Sequence, residues 1–141
     1  MRLTRLERDE WKRTAPFVDT LLIPVYRIGI TNKNPDLTEA KGTEKLARLV
    51  EEELTGRLLL MPAICYGSAK EENFLRYVKD VGKQLRNSGF HHCFLMGNDE
   101  ISLDLEGTGC GWIPLHTPDS PEVEDTVASV IGQITGVWES I

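Results

Sequence analysis

Residues 89–99 read GFHHCFLMGND, and whether this stretch is a strand or a metal-binding turn decides the fold. Its centre, CFLMGN, is short and mostly apolar and reads as a buried strand. His91 and His92 stand just before that run. Successive side chains on a strand point to opposite faces, so adjacent histidines are badly placed to share one metal with Cys93. The stretch reads as a strand with a polar entry, and Gly89 as the cap of a preceding helix.

Working upstream, Ser68 and Glu71 have the spacing of a capping box. Phe74, Val78, Val81 and Leu85 follow on one helical stripe, with Lys83 and Arg86 near the negative pole. Before that helix, RLLLMPAICY is a second apolar run, interrupted by Pro62. Before it again, Thr43 can cap a helix carrying Leu46, Ala47, Val50 and Leu54, with Gly56 placed to end it. The first run is VDTLLIPVYRI, in which Pro24 removes a ladder donor and so asks for an edge or a bulge. The polar stretch TNKNPD between run and helix reads as a loop. Strand, helix, strand, helix, strand predicts a parallel sheet covered by helices.

The ends of the chain carry weaker signals. Thr4 and Glu7 form a possible capping box for a short helix containing Leu6 and Trp11, ended by Pro16. ISLDL, residues 101–105, alternates like a strand, GTGCG can turn, and WIPLH is apolar, so these segments predict a fourth strand or an edge hairpin. Ser120 and Pro121 fit a helix start, and Val123, Val127, Val130, Ile131, Ile134 and Trp138 trace its apolar face. The expectation is one α/β domain spanning 1–141, a three-layer sandwich with a mainly parallel central sheet of about four strands flanked by helices.

Composition removes several classes of function. With 141 residues and 40% apolar content, one core can form without a disulfide scaffold. A net charge of −6 argues against a nucleic-acid backbone binder. The basic N-terminal residues Arg2, Arg5, Arg8, Lys12 and Arg13 are interleaved with acids and read as a solvated helix face; Glu51, Glu52 and Glu53 also read as solvated surface. No run approaches the roughly 20 apolar residues of a membrane span, and no secretory h-region is visible, so a cytoplasmic location with no membrane partner is expected. Cys65, Cys93 and Cys110 are odd in number and far apart, the pattern of free thiols. A redox-active thiol would require Cys110 or Cys65 to sit exposed beside a basic group.

In a parallel sheet, ligands bind beyond the carboxyl ends of the strands. Those ends are Tyr26 and Arg27, then Tyr66, Gly67 and Ser68, then Gly97, Asn98 and Asp99. Two phenols, a guanidinium, a hydroxyl at a helix start, an amide and a carboxylate suit a small polar or anionic ligand. The plainer reading is that Ser68 caps its helix and Asp99 closes a turn. His116 stands alone after WIPL, with no nucleophile beside it in sequence to make it a general base. GTGCG is glycine-rich but opens no helix, so it reads as a turn and not a phosphate loop.

Two family resemblances rest on these stretches. VDTLLIP, GRLLLMPAICY and a C-terminal VWES resemble the short YpiF-like bacterial proteins, a family of unknown function; that resemblance implies no activity. LLIPV, GTEKLA, CYGSAKEENF and GFHHCFLMGND also resemble, in order and in shortened form, the elements of creatininase-like metal-dependent amidohydrolases. That second resemblance implies a site for divalent metals. At the matching positions YRIGITNKN supplies neither Glu nor His, Glu44 stands where an Asp belongs, Glu72 or Asn73 near an expected His, and residues 97–100 read Gly-Asn-Asp-Glu without one.

The expected function is a non-catalytic binding or regulatory module on a degenerate creatininase-like scaffold. It would take a small polar ligand or a protein partner at Tyr26, Arg27, Tyr66, Gly67, Ser68, Asn98 and Asp99, with no cofactor and possible homo-oligomerisation. The alternative is a metal-dependent amidohydrolase with a reduced site on Glu44, Asp99 and His116.

Overall fold

Strand β1 (Thr20–Tyr26) lies at the centre of the molecule, and every one of its residues is buried. It is present in a computed structural model that describes residues 1–65, 71–116 and 122–140. β6 (His92–Asn98) pairs with it in parallel along one edge, from Thr20 opposite His92 to Val25 opposite Gly97. β7 (Gly111–Leu115) lies beyond β6, also parallel. The other edge of β1 carries β4 (Leu58–Leu60) and then β5 (Ile64–Cys65), both parallel to it. The sheet is thus four strands abreast, with β5 prolonging the edge begun by β4.

The gap between β4 and β5 accounts for two prolines. The Leu22 carbonyl faces the β4 edge, where it accepts from the Met61 N–H at 2.9 Å. Pro24 has the same parity, so its missing N–H faces that edge too, where pairing lapses at Met61, Pro62 and Ala63. No ladder bond is lost there.

Alternation along the strands sorts the core into two layers. Leu22, Leu58, Leu60, Phe94, Met96, Ile113 and Leu115 face helices α2 (Thr38–Glu53) and α4 (Val123–Glu139). Leu21, Ile23, Val25, Leu59, Cys93 and Leu95 face α3 (Glu71–Arg86), with α1 (Arg8–Thr14) and its Trp11 at the margin. The architecture is a three-layer α/β sandwich with a parallel central sheet and four flanking helices. Among the described residues no helix is long and apolar enough to cross a membrane.

Several local expectations give way to tertiary context. Segment 101–105 is not a strand: it is an irregular cover whose Ile101 and Leu105 plug the α3-side core, and β7 alone fills the fourth position. TNKNPD is not a plain loop but the tip of an antiparallel hairpin, β2 (Gly29–Thr31) with β3 (Asn34–Asp36), turned by Asn32 and Lys33 at positive φ. α2 begins at Thr38, so Thr43 lies inside it and not at its cap. Helix α1 begins only at Arg8, after a 3-10 turn over Leu3–Arg5, and Thr4 makes no capping bond. Glu51 is 5% exposed, not solvated: it accepts from the N-terminal ammonium at 2.5 Å and from Arg2 Nε at 3.4 Å. Ser120 and Pro121 lie outside the described residues.

Candidate functional site

The carboxyl ends of β1, β5, β6 and β7 share one rim of the molecule, and the residues there are already engaged with one another. Tyr26 closes β1, and its Oη donates to Glu44 Oε1 on α2 at 2.9 Å. Burial and then the adjacent Glu44 carboxylate push the phenol well above its ordinary range, so it stays a neutral donor. Arg27 follows at once. Its Nη2 and Nε donate to Glu39 at 2.8 and 3.3 Å, and its own backbone N–H reaches Glu39 Oε2 at 2.5 Å. Nη2 also meets Glu100 at 3.3 Å, while Nη1 lies 3.8 Å from Glu71. The Glu39 bond, outweighing burial, holds the guanidinium firmly charged. One cation is thus shared by three carboxylates, brought in from the starts of α2 and α3 and the end of β6.

At the β6 exit, Asn98 Oδ1 accepts from the Glu100 N–H at 2.9 Å and closes the turn. Asp99 bonds the His116 ring through Oδ2 and Nδ1, and its backbone N–H donates to Leu115 at 3.0 Å. His116 is 85% exposed, so this pair lies at the surface and not in a closed pocket. Tyr66, Gly67 and Ser68 lie outside the described residues. His92 sits at the opposite rim, where it begins β6 beside Thr20.

Among the described residues, Tyr26 is bonded to Glu44, Arg27 to its acids and Asp99 to His116. Of the alternative metal set Glu44, Asp99 and His116, the last two bond each other while Glu44 bonds Tyr26. Among the described residues no three His, Cys, Asp or Glu side chains are placed to hold a metal ion together.

Two of the cavities at the Tyr26–Arg27 corner carry opposite charges. The smaller, about 240 Å³, is lined by Arg27, Asp36, Glu39 and Glu71 and is net negative. The larger, about 630 Å³, lies between α2, the N-terminal segment and the β4–β5 edge, with Tyr26 in its wall. Arg2, Arg5, Lys41, Lys45 and Arg48 all line it, against one carboxylate, Glu44, among the described residues. Arg2 is drawn toward Glu51 and Glu52; Arg5, Lys41, Lys45 and Arg48 make no ion pair with the described residues.

These five cations are what reading the strand ends alone misses. Lys41, Lys45 and Arg48 recur at helical spacing and so share a face of α2, a signal visible in sequence. Arg2 and Arg5 carry no such signal. They reach the cleft because residue 2 bridges to Leu60 at the end of β4.

The fold is similar to that of creatininase. Three creatininase structures superpose on 97% of the chain with a TM-score of 0.53. One is a tryptophan-to-phenylalanine mutant at 15% identity, one a glutamate-to-glutamine mutant complexed with creatine at 13%, and one another tryptophan-to-phenylalanine mutant at 13%. The likeness is one of fold. The chain spans 53–54% of those proteins, about half their length. No curated protein matches it in sequence. The chain belongs to the DUF2487 family of proteins of unknown function, whose model matches residues 9–117.

Proposed function

We propose that this protein is a non-catalytic cytoplasmic binding module whose ligand is a small molecule carrying several negative charges, such as a phosphorylated metabolite, held in the cleft beside Tyr26. The observation that carries this reading is the charge of that cleft: five cationic side chains and one carboxylate converge on about 630 Å³ in a chain of net charge −6. Cations gathered in a concave surface repel one another and focus a positive potential, which an anion relieves. The cleft has the size of a small-ligand site, and Arg5 and Arg48 offer planar forks suited to phosphate oxygens. Tyr26 and Thr4 add neutral hydroxyls to the wall.

Calorimetric titration with pyrophosphate and with a neutral polyol of similar size tests the reading. Pyrophosphate should bind and weaken as salt rises, and the polyol should not bind. Lys45→Glu should weaken pyrophosphate by about tenfold or more, equivalent to about 1.4 kcal/mol. Arg8→Glu, on exposed α1 outside the cleft, should leave it nearly unchanged. Equal losses in the two variants, or no binding by the parent protein, would overturn the proposal.

The amidohydrolase alternative keeps one supporting observation, the Asp99–His116 pair at the exits of β6 and β7. Elemental analysis of protein purified without a histidine tag or chelator separates the two readings. Near-stoichiometric metal that Asp99→Ala removes would favour hydrolysis over binding.

A further inference from the structure

The thiols of Cys93 and Cys110 occupy adjacent positions across two parallel strands. Phe94 lies opposite Gly111 in the β6–β7 register, so one step back sets Cys93 beside Cys110. Neighbouring strands run about 4.8 Å apart, inside the Cα separation a disulfide spans. Both side chains turn to the α3 face of the sheet, Cys93 buried at 2% exposure and Cys110 packed at the margin of the same cluster.

The surroundings of the two thiols differ. Cys110 Sγ donates to the Gly82 carbonyl at 3.2 Å, and its backbone N–H donates to Thr108 Oγ1 at 3.1 Å. The Arg86 side chain lies over Gly109, so closely that a Cβ on that glycine would meet it at 3.0 Å. The neighbouring Cys93 thiol pulls Cys110 down to about 7, against burial, with Thr108 and Arg86 assisting. The same partnership, together with burial, pushes Cys93 upward. Cys110 is the accessible, ionisable member of the pair and Cys93 the sheltered one.

We infer that Cys93 and Cys110 form a reversible dithiol–disulfide pair that reacts with low-molecular-weight disulfides, Cys110 attacking first and Cys93 resolving. The Cys110 thiolate bonds to one sulfur of the external disulfide, whose S–S bond breaks; the departing thiolate takes up a proton equal to the one Cys110 gave up. The Cys93 sulfur then gives up its proton and bonds to Cys110 Sγ, and the second external sulfur leaves and is protonated. Two protein thiols are oxidised by two electrons, and the external disulfide is reduced to two thiols. Cys65, on β5 across β1, has no cysteine beside it.

The test uses the reduced full chain and excess oxidised glutathione, followed by intact mass and peptide mapping. The parent protein should lose the mass of two hydrogens, keep no adduct at Cys110, and yield a crosslinked peptide containing Cys93 and Cys110. Cys93→Ala should trap a stable glutathione adduct at Cys110, and Cys93→Ser, checked for native circular dichroism, guards against a folding defect in the alanine variant. A persistent Cys110 adduct in the parent protein, a bridge involving Cys65, or no reaction at Cys110 would each overturn the inference.

Discussion

The Trp138 indole Nε1 donates to the Thr20 hydroxyl at 2.8 Å, joining the last turn of α4 to the first residue of β1 across 118 positions. Thr20 is 0% exposed, and its own hydroxyl donates a hydrogen bond to Asp19 Oδ1 at 2.8 Å. Arg57 completes the cluster, with its guanidinium carbon 4.0 Å from the Trp138 ring centroid and its Nε and Nη2 each 2.9 Å from an Asp19 oxygen. Trp138→Phe keeps a ring for the cation but removes the donor, and should cost about 1 kcal/mol. Trp138→Ala removes both and should cost at least about 2 kcal/mol. Urea denaturation measures both; equal stabilities for the three proteins would show that α4 is not anchored here.

The same cluster sets an acid-side dependence of stability. Burial raises the Asp19 carboxyl, but the Arg57 and Thr20 hydrogen bonds outweigh it and hold the group below its ordinary range. The unfolded chain therefore binds more protons near and below pH 4, so this contribution is present at neutral pH and lost as pH falls through the folded value. Asp19→Asn should flatten the fall in urea midpoint between pH 5 and pH 3, windows set by the ordinary carboxylate range. A slope identical to that of the parent protein would assign the acid sensitivity elsewhere.

Gly97 is held by its neighbours and not by its dihedral angles. A Cβ there would run into the Val25 carbonyl oxygen and come within 3.0 Å of the Trp112 ring. Because β1 and β6 pair through this position, the backbone itself must move to admit a methyl group. Gly97→Ala should cost about 2–3 kcal/mol, as overpacking against backbone does. Gly132→Ala, where nothing lies within 4 Å, is the control expected to be neutral or mildly stabilising.

Thr43 offers the opposite experiment. It is 0% exposed within α2, and its hydroxyl finds no hydrogen-bond partner among the described residues. Replacing an unpaired buried hydroxyl with a methyl group removes its desolvation cost, so Thr43→Val should stabilise by about 1 kcal/mol. Differential scanning calorimetry should show Tm rising by roughly 3–4 °C. A fall in Tm would mean that the hydroxyl is satisfied in solution.

The strands and helices of this protein are legible one at a time because local periodicity reports burial. CFLMGN, LLIPV and the Phe74–Val78–Val81–Leu85 stripe each read as the elements they become. ISLDL misleads because alternation signals only that apolar groups face one way. Ile101 and Leu105 satisfy that by plugging a core from an irregular segment, with no strand beside them. Thr43 misleads for a related reason: a threonine before an apolar stripe resembles a cap, yet the helix begins five residues earlier, where Asp36 Oδ1 accepts from the Thr38 N–H at 3.1 Å.

What the sequence determined by itself was the order of elements and the faces they bury, since both follow from side-chain spacing along a single segment. What only the tertiary structure decided was which charges meet. Arg27 stands between three carboxylates from three elements, while Arg2 and Arg5 join Lys41, Lys45 and Arg48 around one cleft. Electrostatic energy depends on distances through space, so residues equally charged in sequence become either a cation shared among carboxylates or part of a cluster of cations around a cleft. Cys93 and Cys110 become neighbours in the same way, through a strand register that no spacing between them encodes.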